Sequence, residues 1–227
     1  MRILNLHEWN VEISQAKEIQ EKLRRKVSLR TSINVNRIRR IAGADVSYTR
    51  GDRILYSAVV VLSFPDLSVE EERWASGEVS VPYIPGYLSF REAPVLLRAF
   101  SQLQQRPDAV VFDGQGIAHP RGLGLASHAG MFLGLPSVGC AKSRLVGDYR
   151  PVGNRKGSFS WLAYKGRRVG TVLRTRDNVK PVFVSPGHRL SIPVAKELIL
   201  LTCCRYRLPE PIRLAHQLVN RVRLGNR

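Results

Sequence analysis

Residues 109–116, AVVFDGQG, are a short apolar run that ends in an acidic residue and a glycine-containing turn. Because the run lacks an alternation of apolar and polar residues, it predicts a central strand covered on both faces by other elements. Asp113 stands at the carboxyl end of this strand, where open α/β sheets tend to place ligand sites. The stretch therefore predicts an α/β fold with a functional site at one edge of its sheet.

The segments around this strand predict a mixed β-sheet flanked by helices. Three strand-like runs precede it, separated by turn residues at 51–52 and 65–66 as in an antiparallel meander: IRRIAGADVSY, RILYSAVVVLSF and LSVEEERWASGEV. A proline-rich loop and a helix come next. After residue 116 the pattern continues with a helix, further strands, and two helices that begin near residues 191 and 209. This order of strands and helices is that of an RNase H-like fold.

Length and composition predict a single soluble domain. A chain of 227 residues that is 44% apolar can bury a core, and it has no repeat and no apolar run near the roughly 20 residues that span a bilayer. We expect one domain over residues 1–227, with a basic N-terminal helix at about 11–27 and a core at about 38–222. The amino terminus lacks a continuous apolar block, and the cysteines form no CxxC pair, so a reduced, cytoplasmic protein without a membrane partner is expected.

The net charge is the strongest compositional signal. The 36 Lys and Arg against 18 Asp and Glu give +18, and a folded domain with such an excess usually has a polyanionic partner. Both ends are basic, since residues 1–40 hold ten Lys and Arg against four Glu, and residues 205–227 hold six Arg against one Glu. Nucleic acid is the expected partner, although charge alone also fits a basic surface that reflects genomic composition or a ribosome-like partner.

Three acidic residues stand where an unpaired charge is costly. Asp45 interrupts a strand of small and apolar residues, Glu92 lies near the start of the predicted helix, and Asp113 ends the central strand. If the strands of Asp45 and Asp113 are neighbours and the helix packs over them, the three carboxylates converge, which only a cation makes tolerable. Hard oxygen ligands suit Mg²⁺, or Mn²⁺ in its place, and such an ion can activate water for phosphodiester cleavage.

Each acid also has a structural interpretation when it is taken alone. Asp45 could pair with a buried arginine, and Asp113 could simply begin an Asp-Gly turn. Glu92 could be the returning half of a capping box, since Ser89 precedes it by three residues. Convergence of the three on one site is therefore a prediction that the fold has to test.

A set of ordered motifs resembles the endonuclease V family, the deoxyinosine 3′ endonucleases. The motifs span residues 41–218 and read IAGADVSY, VPYIPGYLSFREAP, VFDGQGIAHPRGLGLASHAG, VGCAKSRL, SPGHRLS and RLAHQL. The resemblance implies an RNase H-like fold, Mg²⁺-dependent DNA repair, and a nick at the second phosphodiester bond 3′ of a deaminated base, leaving 3′-hydroxyl and 5′-phosphate ends. It also implies that Asp45, Glu92 and Asp113 bind the metal and that His216 completes the catalytic group.

Other residues are candidates for contact with the DNA strand. Lys142 follows a short strand and could offset charge on the scissile phosphate, or it could be an ordinary exposed loop lysine. The Pro-Tyr-Ile-Pro tip predicts either a stiff wedge, with Tyr83 replacing lost stacking while a damaged nucleotide leaves the helix, or a turn packed against the core. Ser185 and His188 precede a predicted helix whose amino end could hold a backbone phosphate. The resemblance adds two further strand contacts, so the DNA-binding candidates are Pro82, Tyr83, Ile84, Pro85, His119, Arg121, Ser185 and His188.

The glycines around Asp113 are candidates for a base pocket. They leave backbone amides uncovered, so that a flat base such as hypoxanthine could be read by one N–H and one C=O group. The resemblance implies that Leu88, Gly114 and Leu145 help to form this pocket. The full set of pocket candidates is Leu88, Gly114, Gly116, Gly124 and Leu145.

Two other functions use the same features. One is an RNase H-like metal nuclease of different specificity, either an inosine-RNA ribonuclease or a structure-selective resolvase, and the other is a basic nucleic-acid-binding protein without enzymatic activity. A small-molecule cofactor is not expected, because the strand-GxGxxG-helix and Walker lysine patterns are absent. The expected partner is DNA with deaminated bases, with inosine-containing RNA as a further candidate, and the expected state is a monomer.

Overall fold

The computed structural model describes residues 1–49, 51, 53–79 and 81–225, so residue 52 of the predicted turn lies outside the described part. Its strands are β1 (Arg40–Ser47), β2 (Ile54–Ser63), β3 (Val69–Glu78), β4 (Ala109–Phe112), β5 (Ser137–Ala141), β6 (Phe159–Tyr164), β7 (Arg167–Leu173) and β8 (Val182–His188). Its helices are α1 (Ile13–Arg24), α2 (Leu88–Ser101), α3 (Leu125–Leu133), α4 (Ile192–Leu201) and α5 (Glu210–Gly225), with a 3-10 helix at Val35–Arg37. The elements follow the predicted order.

The strands form one mixed sheet in the order β3-β2-β1-β4-β5-β8-β7-β6. The first three are an antiparallel meander, β1 pairs in parallel with β4, and β4 pairs in parallel with β5. The remaining strands continue antiparallel from β5 through β8 and β7 to β6. Both the meander and the mixed RNase H-like sheet flanked by helices are therefore confirmed, and β4 is a central strand.

Helices cover both faces of the sheet, as the apolar sequence of β4 requires. On one face Ala44 and Phe112 pack in a core with residues of α2 and α3. On the other face Ile41 and Val111 pack in a second core with residues of α4 and α5. Since side chains alternate between faces along a strand, positions 41, 43 and 45 of β1 point toward α5.

Gly43 lets α5 lie directly on β1. A Cβ atom at this position would stand 2.0 Å from the Pro211 carbonyl oxygen, at the start of α5. Any larger residue would push the helix away from the strand. The small residues that surround Asp45 in the sequence thus bring α5, and with it His216, close to the strand end.

Two local expectations are corrected. The basic N-terminal helix is shorter than the predicted range of about 11–27: α1 covers Ile13–Arg24. The capping box at the start of α2 is wrong: the helix begins at Leu88 after Tyr87, which makes no side-chain cap. Ser89 lies inside the first turn, and its hydroxyl hydrogen-bonds the His128 ring instead.

None of the helices in the described part of the chain is both long enough and apolar enough to cross a lipid bilayer.

Candidate active site

The parallel pairing of β1 and β4 places Asp45 beside Asp113. Ala44 pairs with Phe112, and each acid is the next residue along its strand. The Asp113 amide donates to the Ala44 carbonyl oxygen at 3.4 Å, which carries the register up to the two acids. Their side chains are only 11% and 17% exposed, respectively. The sheet therefore presents two largely buried carboxylates side by side at its carboxyl edge.

Glu92 joins this pair from α2, on the opposite face of the sheet from α5. Burial first, and then the negative charges of Asp45 and Asp113, raise the pKa of Glu92 to about 8, although Arg91 opposes the shift. Burial and the charge of Asp113 likewise raise the pKa of Asp45. These two effects are those of acids that repel one another in a poorly hydrated site. The three predicted acids thus interact electrostatically, as the metal-site prediction requires.

Two basic side chains contact the acids from the rim of the site. Lys142 Nζ lies 2.6 Å from Asp113 Oδ2, and His216 Nδ1 lies 2.7 Å from Asp45 Oδ2. Partial burial acts to lower the pKa of Lys142, but the hydrogen bond and charge of Asp113 outweigh it and raise that pKa. The side chains of Lys142 and His216 are 47% and 54% exposed, so both can move without disturbing the core.

Asn220 fixes the orientation of His216 and was not among the sequence candidates. Its Nδ2 group donates to His216 Nε2 at 3.0 Å and to the His216 carbonyl oxygen at 3.0 Å. Its Oδ1 atom accepts from the Ser47 hydroxyl at 2.9 Å. Because Nε2 accepts a hydrogen bond, the hydrogen of the neutral ring sits on Nδ1 and is donated to Asp45. The i, i+4 spacing of His216 and Asn220 on a helix was the available sequence signal.

The donor set suits a hard divalent cation, but the site is not closed around one. Within the described residues, no three His, Cys, Asp or Glu side chains are already arranged to hold a metal ion. Oδ2 of Asp45 and Oδ2 of Asp113 are instead turned toward His216 and Lys142. Carboxylate oxygens are preferred ligands of Mg²⁺, and a cation would offset the burial and the repulsion that raise the pKa of Glu92.

A cavity of about 220 Å³ opens beside the acids. Gly114, next to Asp113, lies in its wall, as do Ala141 and Ser143 on either side of Lys142. Four of the five predicted pocket residues line it. The complete lining is Tyr83, Pro85, Gly86, Leu88, Ser89, Gly114, Gln115, His119, Gly124, Leu125, Ala141, Ser143, Arg144 and Leu145.

Gly116 and Ser185 lie in the interior rather than at the predicted contacts. The Gly116 amide donates to Ser185 Oγ at 2.8 Å, and a Cβ atom at Gly116 would stand 2.0 Å from the Pro186 carbonyl oxygen. Ser185 is fully buried. The glycine at 116 therefore allows two segments to pack closely and offers no open amide to a base, and the Ser185 hydroxyl cannot reach a phosphate from this position.

The Pro-Tyr-Ile-Pro tip protrudes beside the cavity. Tyr83 is 60% exposed, and Pro82 and Pro85 are exposed as well, while Ile84 is half-buried. The tip is thus an apolar projection at the mouth of the cavity, as a wedge requires.

Arg121 and α1 anchor the base of this tip. The Gly86 carbonyl oxygen accepts from Arg121 Nη2 at 2.6 Å and from Gln20 Nε2 at 3.0 Å. Gly86 has a φ of +83°, and a Cβ atom there would stand 2.7 Å from Arg121. The Arg121 guanidinium also lies 4.1 Å from the centre of the Tyr87 ring. The arginine predicted to contact the strand is therefore occupied within the protein, and the N-terminal helix buttresses the tip.

Two predicted histidines are likewise held by internal contacts. His119 is buried in the cavity wall, and its Nδ1 atom accepts from the Arg121 amide at 3.3 Å. Burial and the charge of Arg121 lower the pKa of His119 to about 4, so the ring is neutral at physiological pH. His188 is half-buried and accepts a hydrogen bond from the Ser28 amide at 3.2 Å.

Comparison with known proteins gives one consistent result. The Endonuclease V family model matches residues 21–217. An endonuclease V from Dehalococcoides mccartyi is 47% identical over 216 residues, covering 95% of this chain and 96% of that protein. The crystal structure of a Bacillus subtilis endonuclease V superposes with a TM-score of 0.94 at 29% identity, covering 100% of this chain and 98% of that one. A Ciona intestinalis endonuclease V, crystallised with a 23mer DNA containing an inosine followed by a ribo-adenosine, has a TM-score of 0.85 at 25% identity, with coverage of 95% and 98%.

Proposed function

The chain belongs to the endonuclease V family and is therefore a nuclease that hydrolyses phosphodiester bonds, and from this premise we propose that it repairs DNA by cutting beside deoxyinosine. The proposed cut is at the second phosphodiester bond 3′ of the lesion, leaving a 3′-hydroxyl and a 5′-phosphate. The proposed cofactor is Mg²⁺, for which Mn²⁺ can substitute. We propose that residues 1–227 act as one catalytic domain.

The observation that carries this proposal is the position of the acids beside the cavity. Asp45 and Asp113 end two paired parallel strands, and the wall of the cavity begins at Gly114, one residue after Asp113. Glu92 belongs to the same helix as the cavity residues Leu88 and Ser89. A base bound in the cavity would thus keep its own backbone within reach of the carboxylates. This arrangement supports a nuclease that cuts near an extruded base.

A divalent cation bound by Asp45, Glu92 and Asp113 would polarise a phosphate oxygen and activate water for attack. Glu92 has to lose its proton before it can act as a ligand, because burial and the charges of the other two acids raise its pKa to about 8. The ammonium group of Lys142 has to leave Asp113 Oδ2 before that oxygen can bind the cation. The freed ammonium group can then face the scissile phosphate. His216 steadies Asp45 through its Nδ1 hydrogen, and Asn220 holds that tautomer.

The cavity and the tip together can extrude a nucleotide and receive its base. Tyr83 is exposed on a stiff loop and can fill the gap in the base stack when a nucleotide is extruded. The cavity wall contains His119, which is neutral at physiological pH, and the apolar residues Leu88 and Leu125. A neutral base is accepted by such a cavity without an unpaired charge being buried.

The direct test is cleavage of a duplex oligonucleotide that carries one deoxyinosine. We expect a single nick in the inosine strand in the presence of Mg²⁺, at the second bond 3′ of the lesion, and no product in EDTA. The undamaged duplex is the control. Intact duplex after incubation with the folded, Mg²⁺-loaded protein would refute the proposal.

Substrates of other kinds separate the remaining functions. Faster cleavage of branched DNA than of the inosine duplex would indicate a resolvase. Salt-sensitive binding without cleavage, unchanged in Asp45→Ala, would indicate a binding protein. Because the Ciona protein was crystallised with inosine followed by a ribonucleotide, the same inosine oligomer is also tested as RNA.

A further inference from the structure

A chain of hydrogen bonds joins the N-terminal segment to the wall of the base cavity. His7 Nδ1 lies 2.7 Å from the Glu8 carbonyl oxygen, and His7 Nε2 lies 2.7 Å from His128 Nε2. On its other side, His128 Nδ1 lies 2.9 Å from the Ser89 hydroxyl. Ser89 is buried, and it lines the cavity beside the acids. These contacts serve neither the acids nor the Tyr83 tip.

The Glu8 carbonyl fixes the direction of every hydrogen bond in this chain. A carbonyl oxygen can only accept, so His7 Nδ1 carries a hydrogen and, in the neutral ring, His7 Nε2 accepts. His128 Nε2 must then donate, which leaves His128 Nδ1 as the acceptor for the Ser89 hydroxyl. Burial lowers the pKa of both His7 and His128, in agreement with two neutral rings.

Packing holds the two rings in place. Trp9 contacts the His7 ring at 4.5 Å and the His128 ring at 4.8 Å, measured between ring centres. Phe132 lies 5.0 Å from His7 and 4.6 Å from Trp9. His128 is completely buried in this cluster. The hydrogen of the Ser89 hydroxyl is therefore directed away from the cavity by rigid partners.

We infer that Ser89 offers an acceptor, and no donor, to a base in the cavity, and that it selects bases with a ring N–H group. The inference rests on the proposed function. Hypoxanthine carries a hydrogen on N1, where adenine has a lone pair, and uracil carries one on N3, where cytosine has a lone pair. A hydroxyl that can only accept a hydrogen bond binds the deaminated base of each pair through the ring N–H group. In the parent base the hydroxyl oxygen would instead face a ring nitrogen, so that two lone pairs repel one another. His7 and His128 act as positioning residues.

The experiment compares two bases in two proteins. Duplexes with a single deoxyinosine, or with a single purine deoxyriboside whose N1 has a lone pair, are cleaved under single-turnover conditions by the wild type and by Ser89→Ala. The ratio of the kcat/KM values for inosine and purine is the readout. The missing O6 atom affects this ratio equally in both proteins and cancels, as in a double-mutant cycle.

We expect the ratio to fall about tenfold in Ser89→Ala, the effect of one neutral hydrogen bond. Ser89→Thr keeps the hydroxyl and should keep the ratio, and His7→Phe should lower it by a smaller factor because either His128 tautomer becomes possible. Trp9→Phe, in the same cluster, is the control for packing. A general structural defect lowers both rates together and leaves the ratio intact.

An unchanged ratio in Ser89→Ala would overturn the inference while leaving the proposed function in place. Failure of the wild type to cut inosine would instead remove the proposed function. If Ser89→Ala does not fold, a ratio that falls in His7→Phe but not in Trp9→Phe supports the inference, and a ratio that stays constant in both contradicts it.

Discussion

The acidic strand ends and the base cavity are neighbours that are built in opposite ways. At the strand ends, burial and mutual repulsion raise the pKa of Asp45 and Glu92, and the groups in contact with the acids are exposed and movable. In the cavity wall, burial and the charge of Arg121 lower the pKa of His119 and keep its ring neutral. The polar groups there are tied by hydrogen bonds to segments far away in the sequence. One region thus holds acids that repel one another, whereas the other is held in place by internal hydrogen bonds.

This difference separates the two tasks of a base-directed nuclease. A chain with a net charge of +18 attracts DNA of any sequence, so attraction alone identifies no lesion. In the proposed function the cavity discriminates between bases through buried, neutral groups such as Ser89 and His119, beside which a mismatched hydrogen bond is costly. In the same proposal the acids cut with the help of a metal ion, whose charge would offset their burial and mutual repulsion. Variants in the two regions should therefore fail in different ways.

The largest effect is expected for an acid at the strand ends. Asp113→Asn should lower the rate of inosine-strand cleavage by about 10³-fold or more, because the metal loses a charged ligand. Binding of the inosine duplex should persist, since the cavity is untouched, and a gel-shift titration measures it. Asp66→Asn, at an exposed turn acid, is the control for charge. If Asp113→Asn lost binding of the inosine duplex as well as cleavage, the separation of binding and cleavage between the two regions would be contradicted.

The tip at the cavity mouth should give the next largest effect. Tyr83→Ala removes a ring that can replace a stacked base, which is worth about 1–3 kcal/mol, so kcat/KM on duplex should fall roughly 10- to 100-fold. A single-stranded inosine oligomer has no stack to open and should lose less. Trp74→Ala removes an exposed aromatic ring from β3 and is the control. Equal losses on duplex and single strand would contradict a wedge.

Glu92 should make the stability of the metal-free protein depend on pH. Its pKa in the folded protein is about 8, above the ordinary value of 4.5, so its contribution to folding is present at low pH and is lost as pH rises through about 8. Between these values the free energy of unfolding should fall by about 1.4 kcal/mol per pH unit from this group. Glu92→Gln should flatten the slope in urea titrations at pH 5 to 8. Saturating Mg²⁺ should flatten it in the wild type, and equal slopes in EDTA for both proteins would count against the acid cluster.

Asn220 should give the smallest effect, because it acts through His216. Asn220→Ala removes the hydrogen bond that fixes the ring tautomer, so kcat should fall about three- to tenfold with KM unchanged. The neighbouring, exposed Gln217→Ala on α5 is the matched control. A change in KM without a change in kcat would show that Asn220 belongs to the binding surface and not to the acid site.

The sheet, and the position of Asp45 beside Asp113 at its edge, could be predicted from the sequence because both depend on local patterns. Local patterns predict the apolar strand β4, the strand that Asp45 interrupts, and the meander with turn residues between its strands. Parallel pairing of β1 with β4 then brings two acids together. The role of Gly116, in contrast, could not be predicted from a local pattern. The sequence does not distinguish a glycine that exposes its amide to a ligand from one that, as at position 116, allows a neighbouring segment to pack closely.

Long-range contacts account for most of what the sequence could not provide. The side chains of Arg121 and Ser185 are of types that bind DNA. In the structure they instead make hydrogen bonds within the protein, to Gly86 and Gly116 respectively. Residues 1–9 and α1 lie largely outside the motifs, and their part in supporting the cavity depends on contacts such as His7 with His128 across 121 positions. No periodicity or spacing in the sequence encodes such a contact.

The most direct measurement is the position of a bound cation. Crystals of the protein grown with Mn²⁺ would reveal the ion by its anomalous scattering. We predict a peak at coordination distance, about 2.0–2.2 Å, from carboxylate oxygens of Asp45, Glu92 and Asp113, with Lys142 displaced from Asp113. A peak elsewhere, or a fully occupied ion touching only one of the three acids, would contradict the account.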